Sequence, residues 1–262
     1  MALLTTQPLW SSATLLIGAT TLLAMVAPVL FRRRAKTERL RINNEVAGFT
    51  FATVGVLYAV LLAFAVIVVW EKFNEAEHAA AEEAGAAATL YRLANGIGGD
   101  PGAALRDSLT RYVRVAAEAD WPAMERSTSS HTATRALDAT YAALLTFTPS
   151  DGRATALLGE ALDQLDRLTV ARQTRLVLAS GAVPGVLWFV LFGGAVLTIG
   201  FTLFFGTENL RVQVLMTGIL SFLIFSGLLV ITVTDHPYAG PVRVQPEALL
   251  AVLEDFGAKA QP

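Results

Sequence analysis

The sequence predicts an all-α, four-span integral membrane protein whose extramembrane part is an antiparallel four-helix bundle continuous with spans two and three. Three observations predict it. Hydrophobic residues make up 54% of the 262 and charged residues only 16%, outside the range of ordinary soluble domains. Charge is also missing in blocks: Asp, Glu, Lys and Arg are absent from Met1–Phe31, Val46–Trp70, Leu176–Thr207 and Val212–Thr234. Each block exceeds the roughly 20 residues that, at about 1.5 Å per residue, cross a hydrocarbon core about 30 Å thick. Between the second and third blocks, apolar residues recur at helical spacing and strand patterning is missing. The chain therefore divides into residues 1–70 (spans one and two with a basic connecting loop), 71–176 (the helical bundle), 177–234 (spans three and four) and 235–262 (a tail with a short helix).

Span one has no charge before it and is followed by Arg32, Arg33, Arg34, Lys36, Arg39 and Arg41. The positive-inside rule puts that loop in the cytoplasm and the N terminus outside. A cleavable signal peptide is the competing reading, but a basic leading region is missing and Ala24 and Ala27 form no clear cleavage site. With four spans, residues 71–176 and the tail then lie on the extracytoplasmic side of the plasma membrane, and only the turn from Thr207 to Arg211 returns inside.

Span two opens at Asn43, Asn44 and Glu45. Either asparagine can cap the helix, and Glu45 complements its positive end; an ion-binding role is the alternative. Gly48, Ala52, Gly55, Ala59 and Ala63 then share one helix face, with Thr53, Val56 and Val60 beside them. Small residues at this spacing let another helix approach closely, in the same chain or another; the sharper reading is a pore lining. Just beyond, Glu71, Glu75, His78 and Glu82 fall on one face. Glu75-x-x-His78 has the form of a di-metal ligand pair but lacks a second pair, so a solvated acidic face is favoured over a metal site. Turned toward an oligomer axis, the same carboxylates would favour cations.

The region from Glu71 to Arg175 reads as helices punctuated by breakers. Ala86, Leu90, Leu93 and Ala94 form a stripe ended by Asn95-Gly96-Ile97-Gly98-Gly99. Asp100 is the expected cap of the next helix, with Pro101 at its first position and Leu105, Leu109, Tyr112, Val113 and Ala116 on its apolar face. Asp120, Trp121 and Pro122 are expected to interrupt it. Leu137, Tyr141, Leu144 and Leu145 make a third stripe, and Thr148 is the expected cap of a last helix bearing Leu158, Ala161, Leu162, Leu165 and Leu168. That helix is expected to run on into span three, where Gly181-x-x-x-Gly185 offers another close-packing site. After span four, Asp235-His236-Pro237-Tyr238-Ala239-Gly240-Pro241 cannot be helical. It is either a turn that seats the tail on the bundle or a site where Asp235 and His236 titrate or bind an ion. A short helix from Glu247 to Phe256 follows.

Several functions are excluded or disfavoured. A net charge of -2 and a pI near 5.9 give no global reason to expect nucleic acid. Without cysteine the chain has no disulfide, thiolate metal site or thiol nucleophile, and its three histidines, His78, His131 and His236, are too far apart for a two-histidine helix motif. An enzyme, a metal or another cofactor is not expected. The lipid bilayer, further copies of the chain and a small ion are the partners to expect.

The run Glu45-Val46-Ala47-Gly48-Phe49, through Tyr58-Ala59-Val60-Leu61-Leu62-Ala63-Phe64, to Trp70-Glu71-Lys72-Phe73 resembles the bestrophin-like family. Trp121-Pro122-Ala123-Met124 and the segment from Asp235 to Val244 resemble it too, so the likeness covers nearly the whole chain. Bestrophins are pentameric anion channels with four spans, a helical domain between spans two and three and a pore lined by span two. The resemblance therefore implies an oligomeric pore, with Asp235-x-Pro-Tyr-x-Gly distantly similar to the Asn-Pro-Phe-Gly after the last bestrophin span. The acidic calcium-binding run of animal bestrophins is missing, and their neck pattern has no match at Val56, Val60 or Phe64. The basic loop also predicts the opposite orientation. A non-conducting scaffold or sensor, whose extramembrane helices bind a partner or ligand, is the alternative expectation.

Overall fold

The computed structural model describes residues 13–33 and 44–259. Nine α-helices account for most of them, and the described residues contain no strand. A π-helical turn, Thr14–Ala19, leads into α1 (Thr20–Arg32). It is followed by α2 (Asn44–Ile97), α3 (Gly99–Val115), α4 (Trp121–Met124), α5 (His131–Leu145), α6 (Gly152–Leu178), α7 (Gly185–Phe201), α8 (Leu210–Thr234) and α9 (Glu247–Lys259). Four stretches are long and apolar enough to cross a membrane: Thr14–Arg32, Asn44–Ile97, Gly185–Phe204 and Leu210–Thr234. Each of these stretches, found among the described residues, overlaps one charge-free block.

The helices form two compact units. The first holds residues up to Glu71, 182–235 and 240–242; the second holds 72–181, 236–239 and 243–262. α2 runs unbroken through the point where the first gives way to the second. It has no proline to interrupt it, and alanine, the best helix former, fills its later half.

In the first unit the core consists of Tyr58, Ala65 and Val69 of α2, Leu191 and Ala195 of α7, and Ile224, Phe225, Leu228 and Ile231 of α8. The close approaches come from glycines outside α2. A Cβ at Gly194 would lie 2.5 Å from the Tyr58 ring, one at Gly227 2.8 Å from Leu62, and one at Gly218 2.9 Å from Met25. Without a strong hydrophobic drive between helices in lipid, such backbone proximity is how spans gain packing energy. The Tyr58 hydroxyl donates to the Leu191 carbonyl at 3.0 Å, which satisfies the phenol inside the apolar layer.

In the second unit, stripes on α2, α3, α5 and α6 close on one core that includes Leu90, Leu105, Leu109, Tyr112, Met124, Leu137, Leu144, Leu165 and Leu168. The predicted stripes are the buried faces, except that Leu145 is 66% exposed.

Local expectations fared unevenly. The Asn-Gly-Ile-Gly-Gly run does end α2, with Gly98 and Gly99 at φ of +69° and +58°. Asp100 is not the cap of α3, because Gly98 occupies that position and Asp100 lies in the first turn. Asp120-Trp121-Pro122 does not break the chain out of helix. A π-helical turn, Ala116–Asp120, carries it into α4, and the wider turn absorbs the N–H that Pro122 lacks. Asp151 rather than Thr148 caps α6, accepting from Ala154 N at 2.7 Å. The largest difference concerns span three. α6 stops at Leu178, Gly181 adopts φ +91°, and Pro184 precedes α7, so α6 does not continue into that span. Gly181 consequently lies outside any helix, and a Cβ on Gly185 would meet nothing within 4 Å, so the pair makes no close helix contact within the protomer.

Candidate functional site

Of the small-residue candidates on α2, Ala52, Thr53, Val56, Ala59, Val60 and Ala63 are exposed, and Gly48 and Gly55 are partly so. Their face is therefore not consumed by packing within the chain. Thr53, Val56, Val60 and Ala63 belong to a longer exposed stripe with Val46, Phe49, Ile67 and Trp70, in which spacings of three and four alternate, and Gly48, Ala52, Gly55 and Ala59 lie about a quarter-turn to its side. That 3.5-residue average is the repeat with which like helices pack around a common axis. The stripe carries no charge, and the Thr53 hydroxyl is turned back to the Phe49 carbonyl at 3.1 Å.

At the start of α2, Asn44 is not a cap. Its Oδ1 accepts from Gly206 N at 2.9 Å and its Nδ2 donates to the Gly206 carbonyl at 3.3 Å, so both halves of the amide hold the turn between α7 and α8. Asn43 and the loop cations Arg34, Lys36, Arg39 and Arg41 lie outside the described residues. Arg32 braces the same turn: Nε donates to Gln213 Oε1 at 3.1 Å, and Nη2 donates to the Thr207 carbonyl and to Thr207 Oγ1. Gln213 is buried and also donates to the Thr202 and Phe205 carbonyls at 3.1 and 3.3 Å.

Farther along α2, Glu71, Glu75, His78 and Glu82 are all exposed. Glu75 pairs with Lys72 at 2.6 Å, and among the described residues no group of three His, Asp or Glu side chains is placed to hold a metal.

The chemistry concentrated in the second unit was not foreseen. Glu83 and Arg175 are both fully buried and joined in a fork, Nε to Oε2 at 2.6 Å and Nη2 to Oε1 at 3.0 Å. Arg172 makes a second fork to Asp120, Nε to Oδ2 at 2.7 Å and Nη2 to Oδ1 at 3.2 Å, while Arg175 reaches Asp120 Oδ2 at 3.6 Å. Two carboxylates thus meet two guanidiniums, and the formal charge of the quartet cancels. The remaining lone pairs are used: Tyr112 donates to Glu83 Oε1 at 2.6 Å, and Ser130 N donates to Asp120 Oδ1 at 3.0 Å. Burial lowers the pKa of Arg175, but the Glu83 charge and hydrogen bond outweigh it and the net direction is up. Arg172 behaves in the same way with Asp120. Burial, followed by the charge of Glu83, holds the Tyr112 phenol well above its ordinary value. Arg175 also lies 4.2 Å over the Trp121 ring and 3.3 Å from Met124 Sδ, which explains the Trp121-Pro122-Ala123-Met124 motif.

The tail motif is structural on both sides of its proline. In the first unit Asp235 Oδ1 accepts from Ala182 N at 3.1 Å and Val183 N at 2.7 Å, fastening the start of span three to the end of span four. In the second unit His236 O accepts from Ala239 N at 3.0 Å, and Pro237 O accepts from Val244 N at 2.7 Å. Tyr238 is buried, donates to the Ala76 carbonyl at 2.8 Å and stands edge-on to Trp121. Gly240 takes φ +85°, a conformation that a Cβ disfavours. Beyond it, Trp121 Nε1 donates to the Val244 carbonyl at 3.0 Å and Phe256 of α9 stacks on Tyr91.

Four helical stretches long and apolar enough to cross a membrane, with a second helical unit centred on a neutral charge quartet, define an all-helical, multi-span class of protein. The Bestrophin-like domain model matches residues 18–249, and the chain belongs to that family. Solved structures share the fold at low identity. Two variants of a bacterial bestrophin homologue from Klebsiella pneumoniae both align with a TM-score of 0.69. One is 16% identical over 90% of this chain and 99% of that one; the other is 15% identical over 93% and 100%. A structure described only as a membrane protein aligns at 0.72, with 15% identity over 94% of this chain and 99% of its own. No curated protein matches the chain in sequence.

Proposed function

We propose that the protein is an oligomeric ion pore in the plasma membrane, with span two nearest the axis. The observation that carries this reading is the 3-4 stripe from Val46 to Ile67, which is exposed on the protomer. Arranged about an axis, Val56, Val60 and Ala63 would form an apolar constriction of the kind that gates by dewetting, flanked by the Thr53 hydroxyls. Membership of the family supports an anion as the permeant ion. The exposed carboxylates of Glu71, Glu75 and Glu82 would oppose that selectivity only if they too faced the axis. Purified protein in planar bilayers tests the proposal: single-channel conductance is expected, with a reversal potential that follows the chloride gradient. An intact oligomer silent in every salt gradient refutes it, and would favour the scaffold reading.

The six basic residues between Arg32 and Arg41 support a cytoplasmic loop and hence an extracytoplasmic second unit. Ser129 is exposed in that unit, so a cysteine placed there should react with an impermeant thiol reagent on intact cells. Labelling only after lysis would reverse the orientation.

A further inference from the structure

We propose that each protomer holds one anionic membrane lipid, its acyl chain in a crevice between α2, α7 and α8 and its headgroup at the Arg32 end of that crevice. Two cavities, of 480 and 280 Å³, abut along Phe51 and Leu220, which line both. Together they reach the size of sites that enclose small ligands. Their polarity is graded. The larger, deeper cavity is walled by Gly55, Ala59 and Leu223, and a Cβ on Gly55 would meet nothing within 4 Å, so its space is open. The smaller cavity is lined by Thr202, Thr207, Gln213 and Thr217, close to the ends of α7 and α8. Every lining residue belongs to a candidate span or to the turn joining two of them, which sets the crevice at the depth of the spans.

Two further features specify the guest. On the wall of the deep cavity Thr198 is 2% exposed, and its hydroxyl has no hydrogen-bond partner. A buried donor of this kind calls for an acceptor, such as the ester carbonyl of a lipid. At the shallow end the Arg32 guanidinium is held only by neutral acceptors among the described residues: Gln213 Oε1, Thr207 Oγ1 and the carbonyls of Thr207 and Glu208. Its positive charge is therefore presented at the mouth. Arg33 and Arg211 are exposed as well, with Glu45 and Glu208 the acidic side chains at these helix ends among the described residues. A phosphate is the complementary headgroup, as anionic lipids are for basic segments at membrane surfaces. The inference does not depend on whether the oligomer conducts.

The full chain in nanodiscs of equal phosphatidylglycerol and phosphatidylcholine, released into native mass spectrometry, tests it. The expected result is one phosphatidylglycerol retained per chain, with phosphatidylcholine at about a tenth of that level. Gly55→Phe, which fills the deep cavity, should lower retention about tenfold with the oligomer mass unchanged. Arg32→Gln should bring the two lipids to about equal retention. Should Gly55→Phe fail to fold, Ala59→Leu on the same wall makes the same prediction. Equal retention of both lipids by the unaltered protein overturns the proposal, as does undiminished retention after the cavity is filled. Dissociation of the oligomer by Gly55→Phe also overturns it, since the crevice would then receive a neighbouring copy.

Discussion

Replacing Arg175 by methionine removes one charge from the buried quartet while keeping an unbranched apolar side chain beside Trp121. Asp120 would retain both bonds from Arg172, but Glu83 would be left, fully buried, with only the Tyr112 hydroxyl. Stranding one partner of a buried pair costs about 3–5 kcal/mol, far more than the pair itself contributes over a well-packed apolar substitute. For a chain of this size, about 2–4 °C per kcal/mol places the loss at roughly 10 °C in Tm. Glu83→Gln/Arg175→Met, which removes the stranded charge as well, should recover most of the loss. Thermal unfolding in detergent, followed by circular dichroism, is the assay. A Tm loss under about 2 °C, or a double variant no more stable than the single one, would refute the claim that charge compensation holds this core together.

Three other outcomes are expected. Because the Tyr112 and Tyr238 phenols are held above their ordinary value of 10.0 in the fold, stability should fall as pH rises beyond about 10, where the unfolded chain loses those protons first. Tyr112→Phe should flatten that alkaline limb and cost about 1.5–3 kcal/mol at neutral pH, read from the same melts. Gly194→Val should destabilise the membrane helices by at least about 1–3 kcal/mol, since its Cβ would fall 2.5 Å from the Tyr58 ring; an unchanged detergent melt would contradict that close approach. Asp235→Ala leaves the Val183 amide without its side-chain acceptor, while Ala182 keeps the Asp235 carbonyl, and should cost about 1–3 kcal/mol, with faster hydrogen exchange at Val183 as the local readout.

The sequence alone determined the class of the protein. A block of more than 20 residues without charge has one stable place, so span number followed from counting, and the stripes of the second unit followed from helical period. The charged core was in principle on those stripes. Continuing Ala161, Leu165 and Leu168 by alternate steps of four and three lands on Arg172 and Arg175. The same steps from Ala76 and Ala80 land on Glu83, and from Leu109, Val113 and Ala116 on Asp120. Read singly, each looks like a stray charge on an apolar face. Only when four helices close does each meet its opposite, because a buried charge is tolerated through a partner that lies 52 or 92 residues away. The span-two face illustrates the converse. Small residues announced close packing, yet the close glycine contacts of the first unit come from Gly194, Gly218 and Gly227, and the α2 face stays open. Periodicity fixes which residues share a face, since that is a local property of the helix. Which faces meet, and which are left for lipid or another copy, is settled only by how the helices pack.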